Sequence, residues 1–155
     1  MADEKDFGKG LHWDVHGPWK GPGANREEWA KYWAGDDSLF RSETGAPGTM
    51  ENPLWRRVSW WLEWSDFTKE KGREPATLEE YVAWSQERQA VALGLAVRAS
   101  KARFPGMGGI ILWMGHDCFP CMANTAIVDF HGEPKPAGRA VGEIWNTLVE
   151  KLRAG

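Results

Sequence analysis

The stretch GIILWMG at residues 109–115 constrains this chain more than any other. Its five consecutive apolar side chains between glycines fall far short of the roughly 20 residues a membrane helix needs. The run has strand length, and such a run fits a β-strand buried on both faces, as in a parallel sheet covered by helices. Parallel strands in turn need crossover connections, usually helices, so strand and helix should alternate along the rest of the chain.

They do alternate. LHWDV (11–15) is a short apolar and aromatic run closed by the Gly/Pro loop HGPWKGPG. Asn25 and Glu28 have capping-box spacing and open a helix through REEWAKYWAG. SLFRS is the second strand, and ETGAPGTMENP is too rich in glycine and proline for regular structure. Residues 54–73 read as a tryptophan-rich helix. Thr77 and Glu80 repeat the capping box before a long helix from Leu78 to about Arg103, with Tyr81, Trp84, Ala92, Leu95 and Ala99 recurring at helical spacing. FPGMGG ends it ahead of the 109–115 run. A long irregular stretch then leads to Pro136, which opens a last helix whose Val141, Ile144, Trp145, Leu148, Val149 and Leu152 share one stripe. The order predicts an α/β fold with a parallel sheet and outer helices.

With 155 residues and 42% hydrophobic content, the chain has room for one domain and one core, so 1–155 is expected to be a single unit. Nineteen basic and 22 acidic side chains leave a net charge of −3 with no basic stripe, which argues against nucleic acid as a partner. No segment is apolar enough to cross a membrane, and MADEKDFGKG lacks the apolar core of a signal peptide, so a soluble protein is expected. Cys118 and Cys121 form a lone CFPC, whereas a zinc site wants a second cysteine pair or two suitably spaced histidines. They read as two thiols in a loop, with a redox module ranked last; no metal or other cofactor is expected. The 11 tryptophans imply either an aromatic core or platforms for sugar faces, and for most of them the core is the expected place.

In parallel α/β folds ligands bind beyond the C-terminal ends of the strands. The three segments expected there are HGPWKG, the glutamate Glu43 in SLFRSETG, and GHDCF. A single carboxylate does not make an active site, because acid/base and nucleophilic chemistry at a sugar or ester needs two groups.

Several motifs then agree on a family. FRSETG resembles the nucleophile strand of family-two glycoside hydrolases, where Ser-Glu-x-Gly ends the seventh strand of a (β/α)8 barrel. YVAWSQERQA, from Tyr81, resembles a signature of the following helix in the β-mannosidase branch. GGIILWMGHDCFP resembles that branch's eighth strand, IVDFHGEPKPAGRAV the stretch leading into its final helix, and LHWDVHGPWKG, more loosely, the sixth strand and its aromatic loop. The resemblance implies a partial (β/α)8 TIM barrel, about the last three βα units, from a retaining exo-β-glycosidase. It gives Glu43 the role of nucleophile, Trp113 the floor of the sugar pocket, Trp13 and Trp19 its walls, and His16 and Asp117 contacts to hydroxyls.

The sequence also departs from the family. His116 stands where asparagine is usual and Phe119 where the second tryptophan is usual. The Asn-Glu pair whose glutamate is the family's general acid/base occurs nowhere in these residues. The expectation is a C-terminal part of a catalytic barrel, inactive alone, that binds a β-glycoside and associates with itself or with the missing barrel half. The alternative is a non-catalytic sugar-binding or structural subunit.

Overall fold

A computed structural model gives the fold and describes residues 4–19, 26–49, 63–121 and 123–154. After a 3-10 turn at Glu4–Asp6 come β1 (Asp14–His16), α1 (Arg26–Gly35), β2 (Phe40–Thr44) and β3 (Gly48–Thr49). Then follow α2 (Trp64–Lys71), α3 (Leu78–Ala102), β4 (Gly109–Leu112), β5 (Ala123–Asn124), α4 (Pro136–Asn146) and α5 (Val149–Arg153). The sheet has the order β1-β2-β4, all parallel, with β2 in the middle. β3 and β5 form a separate antiparallel pair inside segments read from sequence as irregular. The chain is thus a partial α/β barrel: parallel strands with outer helices, as in the last few βα units of a TIM barrel.

One face of the sheet packs on helices. Ile110 packs against the cluster of Tyr32, Trp33 and Ala96, and Leu112 against the clusters that contain Ala92 with Leu93 and Val97 with Ile144. The alternate side chains face away: Ile111 is 53% exposed, and Asp14 and His16 flank buried Val15. The expectation that IILWM is buried on both faces is therefore corrected, because only the helix-side layer covers it among the described residues. The first strand also starts later than expected, leaving Leu11 and Trp13 exposed.

α3 starts as its spacing predicts. Thr77 is extended, and its Oγ1 accepts the Glu80 N–H at 3.2 Å. Glu80 does not return to Thr77 but accepts from Ala76 N at 2.7 Å, so the box is shifted by one residue. Arg88, midway along α3, joins Glu63 and Asp66 at 3.1 and 3.0 Å and fixes α2 against it. The predicted last helix is two, because Thr147 is extended, and Trp145 and Leu148 of the expected stripe are exposed. Asn25 and residues 54–62 lie outside the described residues. Of the tryptophans, Trp29, Trp33 and Trp84 are core, whereas Trp13, Trp113 and Trp145 are exposed.

Candidate functional site

Glu43 lies near the C-terminal end of the central strand, and the local geometry depends on one extra residue. From Phe40 to Glu43 β2 advances three residues while β1 advances two, from Asp14 to His16. Against β4 the same happens between Arg41 and Thr44, opposite Ile110 and Leu112. This is a β-bulge, and it breaks the alternation of side chains. Strict alternation would put Arg41 and Glu43 on one face. Instead Arg41 is fully buried toward α1, and Glu43 is left partly accessible, opposite His16.

Two side chains meet at the Glu43 carboxylate. Trp19 Nε1 donates to Glu43 Oε1 at 2.6 Å, and His16 Nε2 stands 3.5 Å from Oε2. The His16 and Trp19 rings meet edge to face at 4.9 Å. The loop carrying Trp19 is sewn to the strand by Gly17 N donating to the Glu43 carbonyl (2.6 Å), and by Thr44 Oγ1 and Gly45 N donating to the Pro18 carbonyl (2.6 and 3.1 Å).

Trp113 follows β4 directly, 45% exposed, with its backbone N–H donating to the Thr44 carbonyl at 2.6 Å. The peptide after it is cis. Gly45 is required here, because a Cβ would lie 2.2 Å from the Trp113 carbonyl oxygen. Glu43, His16, Trp19 and Trp113 thus gather at one end of the strands. Trp13 is set apart at the start of β1, 73% exposed, with Nε1 donating to the Gly10 carbonyl.

Asp117 is elsewhere in kind. It is fully buried, 2.8 Å from Lys135 Nζ, and accepts from Asn124 Nδ2 at 3.0 Å. The Lys135 ammonium makes no aligned hydrogen bond among the described residues, so the contact is one of charge. The pair joins the loop after β4 to the residue capping α4. Sequence reasoning gave Lys135 no role, although it stands in the stretch IVDFHGEPKPAGRAV on which the resemblance partly rests. It also missed Arg41 and Gln89. Gln89 Nε2 donates to the carbonyls of Ala46, Thr125 and Ala126 and so ties the loop after Glu43 to the loop before α4. Burial pushes the phenol of Tyr32, beside Arg41, above its ordinary range, against the lowering by the guanidinium's charge and hydrogen bond.

A hollow of about 450 Å³ lined by Phe40, Met107, Ile110 and Trp145 opens at the opposite end of the strands, away from Glu43. No group of three or more His, Cys, Asp or Glu among the described residues could hold a metal ion. Cys118 is exposed, Cys121 half-buried, and neither is in a disulfide. Replacing both by serine is expected to leave the thermal midpoint within about 4 °C, since neither side chain fills the core. Stoichiometric zinc in the unmodified chain, lost in that variant, would overturn this. No described helix is long and apolar enough to cross a membrane.

No family model matches the chain. β-Mannosidase B of Aspergillus terreus and that of Aspergillus niger are each 32% identical to it over 84 residues, 52% of this chain and 10% of the relative. The chain therefore spans about a tenth of the length of these relatives. The crystal structure of a β-D-mannosidase from Dictyoglomus thermophilum matches with a TM-score of 0.62 at 19% identity, over 85% of this chain and 18% of that one. At that identity the match shows the fold alone. The chain resembles the C-terminal strands and helices of a family-two (β/α)8 barrel, close to β-mannosidases in sequence.

Proposed function

We propose that this chain is a carbohydrate-active, C-terminal portion of a retaining β-glycosidase barrel, acting on a β-mannoside, with Glu43 as its nucleophile. The observation that carries the reading is the placement of Glu43 near the C-terminal end of the central parallel strand, with one oxygen held by Trp19 and the other facing His16. In this mechanism the Glu43 carboxylate attacks the anomeric carbon as the glycosidic C–O bond breaks. A second carboxylic acid protonates the leaving oxygen, and water later hydrolyses the glycosyl ester. Trp113 offers an apolar floor to the sugar's C–H face, with Trp19 beside it, and Trp13, set apart at the start of β1, is left out of the pocket. His16 binds a hydroxyl. Buried Asp117 serves through Lys135 and Asn124 rather than by direct contact. The acid is assigned to residues outside these 155, because the family's Asn-Glu pair does not occur in them.

A 2-deoxy-2-fluoro-β-mannosyl fluoride tests this, because fluoride leaves without a proton donor and the 2-fluorine slows breakdown of the ester. Intact-mass and peptide analysis should find one fluoroglycosyl group on Glu43 and none in Glu43→Gln. The chain alone should turn over no aryl β-mannoside. An unlabelled Glu43 in the folded chain would overturn the nucleophile assignment. Repeated turnovers that vanish in Glu43→Gln would overturn the external acid.

A further inference from the structure

We infer that Arg41 is a positioning residue for the Glu43 site: from the opposite face of the same strand it holds the Gly17–Trp19 loop, and through it the indole bonded to the carboxylate. This deepens the reading of Glu43 as nucleophile and rests on it. The bulge in β2 makes the arrangement possible, since it sends Arg41 and Glu43 to different faces.

Arg41 is fully buried. A buried guanidinium must place its five N–H donors, and a charge there needs a counter-charge. Asp36 supplies the counter-charge, accepting from Nη2 at 2.7 Å and from Nε at 3.4 Å. Nη2 also donates to the Tyr32 hydroxyl at 3.2 Å, and the cation lies 4.9 Å from the Trp33 ring centre. The remaining edge points at the loop: Nη1 donates to the Gly17 carbonyl at 2.6 Å. Gly17 has φ +93°, a conformation glycine adopts readily, and its own N–H donates to the Glu43 carbonyl. One residue is thereby clamped from both sides. Two residues further on, the Trp19 indole reaches Glu43 Oε1. Without Arg41 the Gly17 carbonyl loses its charged partner, and the loop, still tied to β2 at Gly17 and Pro18, holds Trp19 less firmly.

Arg103 provides the control. It shares Asp36, donating from Nη1 at 3.1 Å, and bonds the Ser38 carbonyl, but it makes no hydrogen bond to Gly17. A lysine at position 41 can satisfy Asp36 with its single ammonium but lacks the fork that serves Gly17 at the same time.

The test reads the loop directly, by mass spectrometry of indole oxidation and amide exchange, and needs no sugar. Trp13, already exposed in the same segment, is the internal reference for Trp19. In Arg41→Lys and Arg41→Met, Trp19 oxidation relative to Trp13, and exchange of the Gly17 and Gly45 amides, should rise about tenfold, as for a lost charge-assisted hydrogen bond. Amides of α3 should keep their protection, and Arg103→Met should leave Trp19 unchanged. An unchanged Trp19 in a folded Arg41 variant, or an equal rise in Arg103→Met, would overturn the inference. So would Trp19 in the unmodified chain being oxidised as fast as Trp13, whether or not the variants fold. Failure of Glu43 to take the fluorosugar label while Trp19 responds as expected would sink the nucleophile and leave the clamp standing.

Discussion

Lys135→Met is expected to cost about 3–5 kcal/mol, the usual effect of leaving one member of a buried ion pair without its partner. The pair is almost wholly withdrawn from water, Lys135 at 2% and Asp117 at 0% side-chain exposure. Removing the ammonium leaves the Asp117 carboxylate with Asn124 as its remaining side-chain hydrogen-bond donor among the described residues. For a chain of this length the thermal midpoint should fall by roughly 6–20 °C at fixed protein concentration. The double variant Lys135→Met with Asp117→Leu should recover much of that loss, because two charges brought out of water together cost more than their attraction returns. Thermal unfolding of the four proteins of this cycle decides it. A single variant within 1 °C of the parent would mean that the pair opens to solvent.

The second large effect is on association. The isolated chain is expected to be dimeric or larger at micromolar concentration. Among the described residues β1 and β4 each have one side without a neighbouring strand in the sheet, and unpaired edges of this kind recruit further strands. Ile111 and Trp113 lie open on the uncovered face, and Trp145 and Leu148 stand out beside the hollow at the far end. Each large apolar side chain left in water forgoes roughly 1.5–3 kcal/mol of burial, so a few of them covered at once drive association. Light scattering or sedimentation measures it. Ile111→Lys should shift the chain toward smaller species by putting a charge in the middle of the uncovered β4 face. A compact monomer of the unmodified chain with one cooperative unfolding transition would overturn this expectation and the open-sheet reading behind it.

Much of the fold was legible because it is local. The cap at Thr77, the length of α3, the proline start of α4 and the apolar run of β4 are set by a few neighbouring residues, and the structure has them near where their spacing puts them. β3 and β5 were illegible for the opposite reason. Each has two residues, and each is held by pairing with a segment about 75 residues away rather than by its own propensity. The break at Thr147 was hidden by an apolar stripe that continues through it, although part of the stripe faces outward.

At the site, the sequence by itself determined which chemistry was available: one glutamate near the end of a strand, tryptophans and a histidine in the loops around it, and no Asn-Glu pair. Tertiary structure decided where that chemistry points. The β2 bulge separates Arg41 from Glu43 although they are two residues apart, and no local pattern in FRSET announces it. The role of Asp117 likewise depends on a lysine 18 positions away that reaches it only after α4 docks. Periodicity reports which side chains want to leave water, since each residue carries that preference alone. Register, bulges and buried charge partners depend on distant segments meeting, so they belong to the assembled fold.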